Sequence, residues 1–230
     1  MSRGLGDVYK RQVFIVFYTL SFEMDTMFFL YNEKHRCILS KNDLNRKKKM
    51  EFNEKTLSRN DIYEGRILKF HVDKVELING KTSTRECVDH PGGVSVAVLT
   101  EKNEILFVRQ FRYPYKEVVL ETPAGKLEPG EDPFEAMKRE QLEETGTTGS
   151  RYIDMGKLYP SPGYSNEIIY LYACRLETSG KTQFDEDEFL ETEKIPVDEA
   201  VRMVIDGEIP DSKTQVLVLK TARLLKDGKI

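Results

Sequence analysis

The chain has 230 residues, 39% of them hydrophobic and 32% charged, with a formal net charge of −4. That length holds one ordinary domain, or one domain with an appendage, and the composition is that of a soluble globular protein. The acidic balance excludes a generic nucleic-acid footprint, so an anionic substrate would have to be drawn by local arginines and a bound cation. The cysteines Cys37, Cys87 and Cys174 are odd in number and form no C-x-x-C pair. They point to a reducing, cytoplasmic compartment and away from a disulfide framework or a cysteine-based metal site. Three histidines are too few for a His-rich site, whereas the abundant carboxylates suit hard cations.

Residues 1–49 do not read like the rest. SRGLGDVYKRQ resembles a translated sequencing-adapter peptide, and the apolar run that follows is interrupted by Glu23 and Asp25. A membrane span needs about 20 predominantly apolar residues with few charges, and no small-residue cleavage site follows to suggest a signal peptide. NRKKKM then leads to Met50. The expectation is a non-native or disordered leader over 1–49, a start at Met50 and no membrane association. A basic tail native to the protein is the alternative.

From Met50 the sequence predicts strands first. RILKFHVDKVELINGKTSTRECVDHPG holds the β-formers Phe70, Val72, Val75 and Leu77 and a hairpin signal at Asn79-Gly80. VSVAVLT and ILFVRQFR follow as a second hairpin, then EVVLE (117–121) and EIIYLYACRL (167–176). KIPVDEAVRMVIDG and DSKTQVLVLKTARLLKDG read as helices stopped at Gly207 and Gly228. Strands mixed with a few helices, without βαβ alternation, predict an α+β fold with a mixed sheet.

The most informative stretch is AGKLEPGEDPFEAMKREQLEETG, residues 124–146. Asp132 suits an N-cap, Pro133 the first helical position, Glu135 a capping box and Gly146 the C-terminal stop. Helical spacing puts Glu140, Glu143 and Glu144 on one face, with small Ala136 beneath them. Phe134, Met137 and Leu142 are predicted to dock on a sheet. Three carboxylates in one patch repel each other at neutral pH, a cost that a divalent cation removes, and an oxygen-only set favours Mg²⁺, Mn²⁺ or Ca²⁺. Taken alone, such a face could equally be a solvated helix surface.

The whole stretch resembles the Nudix box: Gly, five residues, Glu, seven residues, Arg-Glu, two residues, Glu-Glu, one residue, Gly. Gly125, Glu131, Arg139, Glu140, Glu143, Glu144 and Gly146 stand at those places. Gln141 and Thr147 depart from it, since apolar residues are usual at both. Beyond the box, over roughly residues 55–226, ETPAGKLEPGE, the Ser161-Pro162-Gly163 turn, DEDEFLE (185–191) and DSKT (211–214) resemble the ADP-ribose pyrophosphatase subfamily. Pro162, sixteen residues beyond Gly146, matches a substrate-class marker there. YEGRILKF and the residues around Cys87 resemble its N-terminal sheet.

The resemblance implies a Nudix α/β/α sandwich over 93–230 and an N-terminal antiparallel sheet over 50–92 that serves dimerisation and substrate binding. It implies Mg²⁺, with Mn²⁺ as the alternative, held by Glu140, Glu144 and the Ala124 carbonyl. Glu143 would ligate the metal or orient water, and Glu131 and Arg139 would hold the loop to the helix. Glu186 is assigned to the water and Glu188 to the metal, an order that the sequence leaves open. Arg109 and Arg112 are candidates to fork onto phosphate, Glu121 to support the site, and Phe70 or Tyr63 to stack on a base. Solvated strand-end charges and core aromatics are the plain alternatives. The implied reaction is hydrolysis of ADP-ribose to AMP and ribose 5-phosphate, or of a related nucleoside-diphosphate sugar, by a homodimer. GDP-mannose, a diadenosine polyphosphate or a non-catalytic nucleotide-binding regulator stand as alternatives. The intact glutamates and the lack of a basic helix-turn-helix pattern weigh against the last.

Overall fold

A computed structural model describes residues 52–180 and 190–230. The expectations for the leader, for a start at Met50, and for Glu186 and Glu188 lie outside the described residues. Three N-terminal strands, β1 (Lys55–Glu64), β2 (Lys69–Glu76) and β3 (Thr82–Asp89), form an antiparallel sheet in that order. The β2–β3 connection closes because Gly80 takes φ 77°, a left-handed conformation open to glycine. The Asn79 side chain caps the turn by accepting from the Lys81 N–H at 3.0 Å.

The larger sheet is mixed. Its strands are β4 (Gly93–Leu99), β5 (Glu104–Arg112), β6 (Glu117–Glu121), β7 (Ala124–Lys126), β8 (Thr147–Leu158), β9 (Ile169–Ser179) and β10 (Glu191–Pro196). The main path runs β10-β5-β4-β9-β8, with β6 paired to β5 and β7 to β4. Only β4 and β9 pair in parallel; the other ladders are antiparallel. All seven residues of β4 are buried, the pattern of a strand covered on both faces. Alternation divides them. Val94, Val96 and Val98 pack with Met137 of helix α1 (Pro133–Thr145), while Ala97 and Leu99 face helices α2 (Val197–Ile205) and α3 (Ser212–Lys226). The result is the expected α+β architecture, with helices on both faces of a mixed sheet. Glu51–Ile230 forms one compact unit.

Four strands were not foreseen. β7 is three residues long and carries no strand pattern of its own. β1 is exposed along its whole length, so no burial periodicity marks it. β8 carries three register shifts, with φ 50° at Arg151 and 88° at Gly156, so its alternation is repeatedly reset. β10 corrects the reading of Lys194–Pro196 as helical: these residues pair with Leu106–Glu104 of β5, and the helix begins only at Val197.

Candidate active site

Helix α1 builds the site from its ends inward. The Asp132 carboxylate accepts from the Phe134 and Glu135 N–H groups at 2.9 and 3.2 Å, Pro133 occupies the first turn, and Gly146 closes the helix at φ 63°. Glu135 pairs with Lys138 at 2.8 Å rather than completing a capping box. The docking stripe is Phe134, Met137 and Gln141, not Leu142, which is 41% exposed. Spacing explains the correction: 134, 137 and 141 follow the i, i+3, i+7 line, and 142 lies about 100° around the helix from 141. Phe134 meets the rings of Tyr152 and Tyr172 edge-on at 5.3 and 5.8 Å.

The two departures from the family box interlock. Gln141 is fully buried and its amide donates to the Thr147 hydroxyl at 3.2 Å, while its carbonyl accepts from the Tyr152 hydroxyl at 3.3 Å and the Cys174 thiol at 3.7 Å. Burial pushes that thiol up to about 12, so it stays a donor. One polar substitution inside the helix face is thus satisfied by the other just past its end.

The short strand β7 runs along β4, with Gly125 opposite Val94 and Ala124 opposite Ser95. That register lays the Ala124-Gly125 backbone under α1. The Ala124 N–H donates to Glu144 Oε2 at 2.9 Å, and Glu144 is only 3% exposed. A Cβ at Gly125 would fall 1.9 Å from the Glu140 carboxyl carbon, so only glycine admits this carboxylate. Arg139 ties the assembly together. Its Nε and Nη2 fork onto Glu131 at 2.9 and 3.0 Å, and its Nη1 lies 2.9 Å from both Glu140 and Glu143. The Arg139 hydrogen bonds hold the Glu131 carboxyl below the usual carboxylate range. Glu143 is the outermost of the three helix carboxylates.

A buried ion cluster supports the strap from behind. Glu121, at the end of β6, is 2% exposed. Arg112 places Nε and Nη2 each 2.6 Å from its two oxygens, and the Lys213 ammonium contacts it from the first turn of α3. Burial pushes the Glu121 carboxyl up, but Arg112 and Lys213 outweigh it and leave it lowered. Thr214 accepts from the Thr122 N–H at 2.9 Å, and the Ser95 hydroxyl donates to the Pro123 carbonyl at 2.9 Å. Lys213 and Thr214 belong to the DSKT motif, to which the sequence assigned no role. Its signal was an N-cap aspartate followed by a lysine in an otherwise amphipathic helix start.

The structure thus brings Ala124, Glu131, Arg139, Glu140, Glu143 and Glu144 together, with Glu121 and Arg112 behind the strap. The Arg112 fork faces Glu121. Arg109 is directed instead at Glu193 of β10, 2.6 Å away. Pro162 lies exposed in a turn closed by the Ser165 N–H donating to the Ser161 carbonyl at 2.9 Å, and the next residues bond β3, with the Val88 N–H donating to the Tyr164 carbonyl at 2.7 Å. Tyr63 is 64% exposed on β1, and Phe70 is half-buried on β2.

A carboxylate patch on a helix face, pressed against a glycine strap that only a side-chain-free residue permits, is an oxygen-only cradle that suits a hard divalent cation. Such a cradle suits metal-dependent hydrolysis, the class in which a held cation activates water. Comparison with known proteins agrees: the NUDIX domain matches residues 89–216. The chain belongs to the NUDIX family and is a Nudix hydrolase. It is 40% identical to the ADP-ribose pyrophosphatase of Bacillus subtilis, over 74% of this chain and 95% of that protein. It is 42% identical to the methanol dehydrogenase activator of Bacillus methanolicus, over 73% and 91%. A GDP-mannose pyrophosphatase of Yersinia enterocolitica is 31% identical over 72% and 93%.

Proposed function

We propose that this Nudix hydrolase cleaves the diphosphate bond of ADP-ribose, giving AMP and ribose 5-phosphate. The observation that carries the reading is the carboxylate patch of Glu140, Glu143 and Glu144 against the Ala124-Gly125 strap. The 40% identity to an ADP-ribose pyrophosphatase favours this substrate. Glu140, Glu144 and the Ala124 carbonyl are proposed to hold Mg²⁺ (Mn²⁺ as the alternative). When bound, the metal neutralises diphosphate oxygens and lowers the pKa of attacking water.

The protein's own residues then orient and hold. Glu143, the most exposed of the three, faces the water. Arg139 keeps Glu140 and Glu143 in place, and the Ala124 N–H fixes the rotamer of Glu144. Water adds to one phosphorus as the bridging P–O bond breaks, and the departing phosphate takes up the balancing proton. Glu186 and Glu188 are proposed for the water and the metal respectively. Arg109 and Pro162 are proposed as substrate contacts; Arg112 acts with Glu121 to support the strap, or exchanges it for phosphate.

Residues 50–92 are proposed as a dimerisation and substrate region, residues 93–230 as the hydrolase domain, and the active enzyme as a homodimer. A cytoplasmic location is supported by Cys87 and Cys174 both being free thiols. Among the described residues no helix is long and apolar enough to cross a membrane. GDP-mannose is the second reading, favoured by the relative at 31% identity. A panel of ADP-ribose, GDP-mannose, other nucleoside-diphosphate sugars and diadenosine polyphosphates, assayed with Mg²⁺ for phosphatase-sensitive products, separates them. The highest kcat/KM for ADP-ribose is expected, and preference for a guanine sugar by tenfold or more would overturn the assignment.

A further inference from the structure

On the three-stranded sheet, three different ligand types converge. His71 of β2 stands directly across from Cys87 of β3, and Asp73 is two residues on from His71, so all three share one face. One donor atom from each lies within 4.8 Å of the other two. His71 is 4% exposed, and its Nδ1 is 2.8 Å from Asp73 Oδ1. On the other side of the ring, Nε2 is 3.6 Å from Asp89 Oδ1. Asp89 is itself committed: Arg59 Nη2 donates to it at 2.7 Å and Asn166 Nδ2 at 2.8 Å.

We propose that His71, Asp73 and Cys87 form a second metal site, for a zinc-class divalent ion, on the N-terminal sheet. The donor chemistry selects the ion. A thiolate and an imidazole are soft and borderline ligands that favour Zn²⁺ and its neighbours over Mg²⁺. Ligands on a tetrahedral ion with bonds of roughly 2.0–2.3 Å stand roughly 3.5 Å apart. The present cluster reaches that by opening the His71–Asp73 contact several tenths of an ångström and drawing the thiol inward. Nδ1 faces the Asp73 carboxylate at 2.8 Å and donates to it, so binding would move the ring proton to Nε2, where Asp89, 3.6 Å away, stands as the outer partner that metal-binding histidines commonly have. Binding would replace the S–H proton, released to solvent, with an S–metal bond, and three protein ligands would leave a fourth position for water.

This site does not depend on the proposed substrate, and its test reads metal directly. The full chain is titrated with Co²⁺ in saturating Mg²⁺, and near-ultraviolet thiolate-to-cobalt charge transfer is recorded. Zn²⁺ affinity is measured by competition with a chromogenic chelator. One Co²⁺ per chain with a charge-transfer band is expected, displaced by Zn²⁺. Cys87→Ser should abolish the band and weaken Zn²⁺ binding at least about tenfold. His71→Gln should weaken it similarly, which guards against a folding defect peculiar to one variant. Glu144→Gln should leave the band intact, because the α1 patch has only oxygen donors. No band in the native chain, or a band that survives Cys87→Ser and His71→Gln, would overturn the proposal.

Discussion

Gly125 and Glu144 are where the site is most sensitive to single atoms. A methyl at Gly125 would be placed 1.9 Å from the Glu140 carboxyl carbon, so the carboxylate at the end of that side chain must swing away from its present position. Gly125→Ala should therefore cut turnover by about a hundredfold or more and raise the Mg²⁺ concentration needed for half-activity. The helix core, built on Met137 and Ala136, stays as it is. Circular dichroism and a Mg²⁺ titration check both halves of that statement. Glu144→Gln keeps shape and the bond from the Ala124 N–H but removes one anionic oxygen. Turnover should fall at least about a hundredfold, since metal positioning supplies several kcal/mol of transition-state stabilisation; near-normal turnover at saturating Mg²⁺ would remove Glu144 from the metal set. These positions were legible because helical spacing alone places Glu140, Glu143 and Glu144 together. The contact between Gly125 and Glu140 was not, because it depends on the register of β7 against β4, which no local pattern encodes. Nor was the ion-pairing of Arg109 and Arg112, whose partners Glu193 and Glu121 are set by strand pairing.

At the level of elements, two joints decide how α1 and the strap are held. The first is Gln141 with Thr147. Gln141→Leu alone removes one partner each from the Thr147 and Tyr152 hydroxyls, which keep the Thr145 hydroxyl and the Gly149 N–H, and should cost about 1 kcal/mol. Thr147→Val alone removes the same bond from the other side, so the double variant should be less destabilised than the sum, a coupling of about 0.5 kcal/mol or more in chemical denaturation. Strict additivity would show that the two polar residues are independent. The second joint is Lys213 of α3 on Glu121 of β6. The Glu121 carboxyl is depressed in the native state, so the stability it contributes is fully present above the ordinary glutamate pKa. It is lost as pH falls through the lowered native value. Lys213→Met leaves a buried carboxylate with Arg112 alone. Stability at neutral pH should drop by about 3 kcal/mol, and the acid-unfolding midpoint should move to higher pH. Urea melts across the acid range measure this, and an unchanged midpoint would mean the contact does not stabilise the fold. Helix ends were readable from Asp132, Gly146, Gly207 and Gly228, whose chemistry is local. β8 and β10 were not, because bulges reset one and pairing with β5 overrides the helical look of Lys194–Pro196 in the other.

For the whole molecule, the exposed face of the N-terminal sheet governs assembly. β1 contributes ten residues, every one exposed, among them Leu57, Ile62 and Tyr63 at 45%, 54% and 64%. Apolar side chains exposed together on one sheet mark an interaction surface. A second copy of the chain offers a self-complementary cover, and two-fold dimers are the commonest closed assembly. The sheet is also joined to the turn that holds Pro162, through the Val88 N–H donating to the Tyr164 carbonyl at 2.7 Å. Ordering this sheet against a partner would therefore also order a proposed substrate contact. The expected outcome is a homodimer by light scattering at micromolar concentration, both for the full chain and for a chain begun at Met50, with equal activity in the two. Deleting residues 50–92 should give a monomeric or insoluble product that keeps the α1 patch but binds ADP-ribose poorly. An active species with the mass of one chain would rule the shared arrangement out, and a large loss of melting temperature on starting at Met50 would show that residues 1–49 belong to the folded structure.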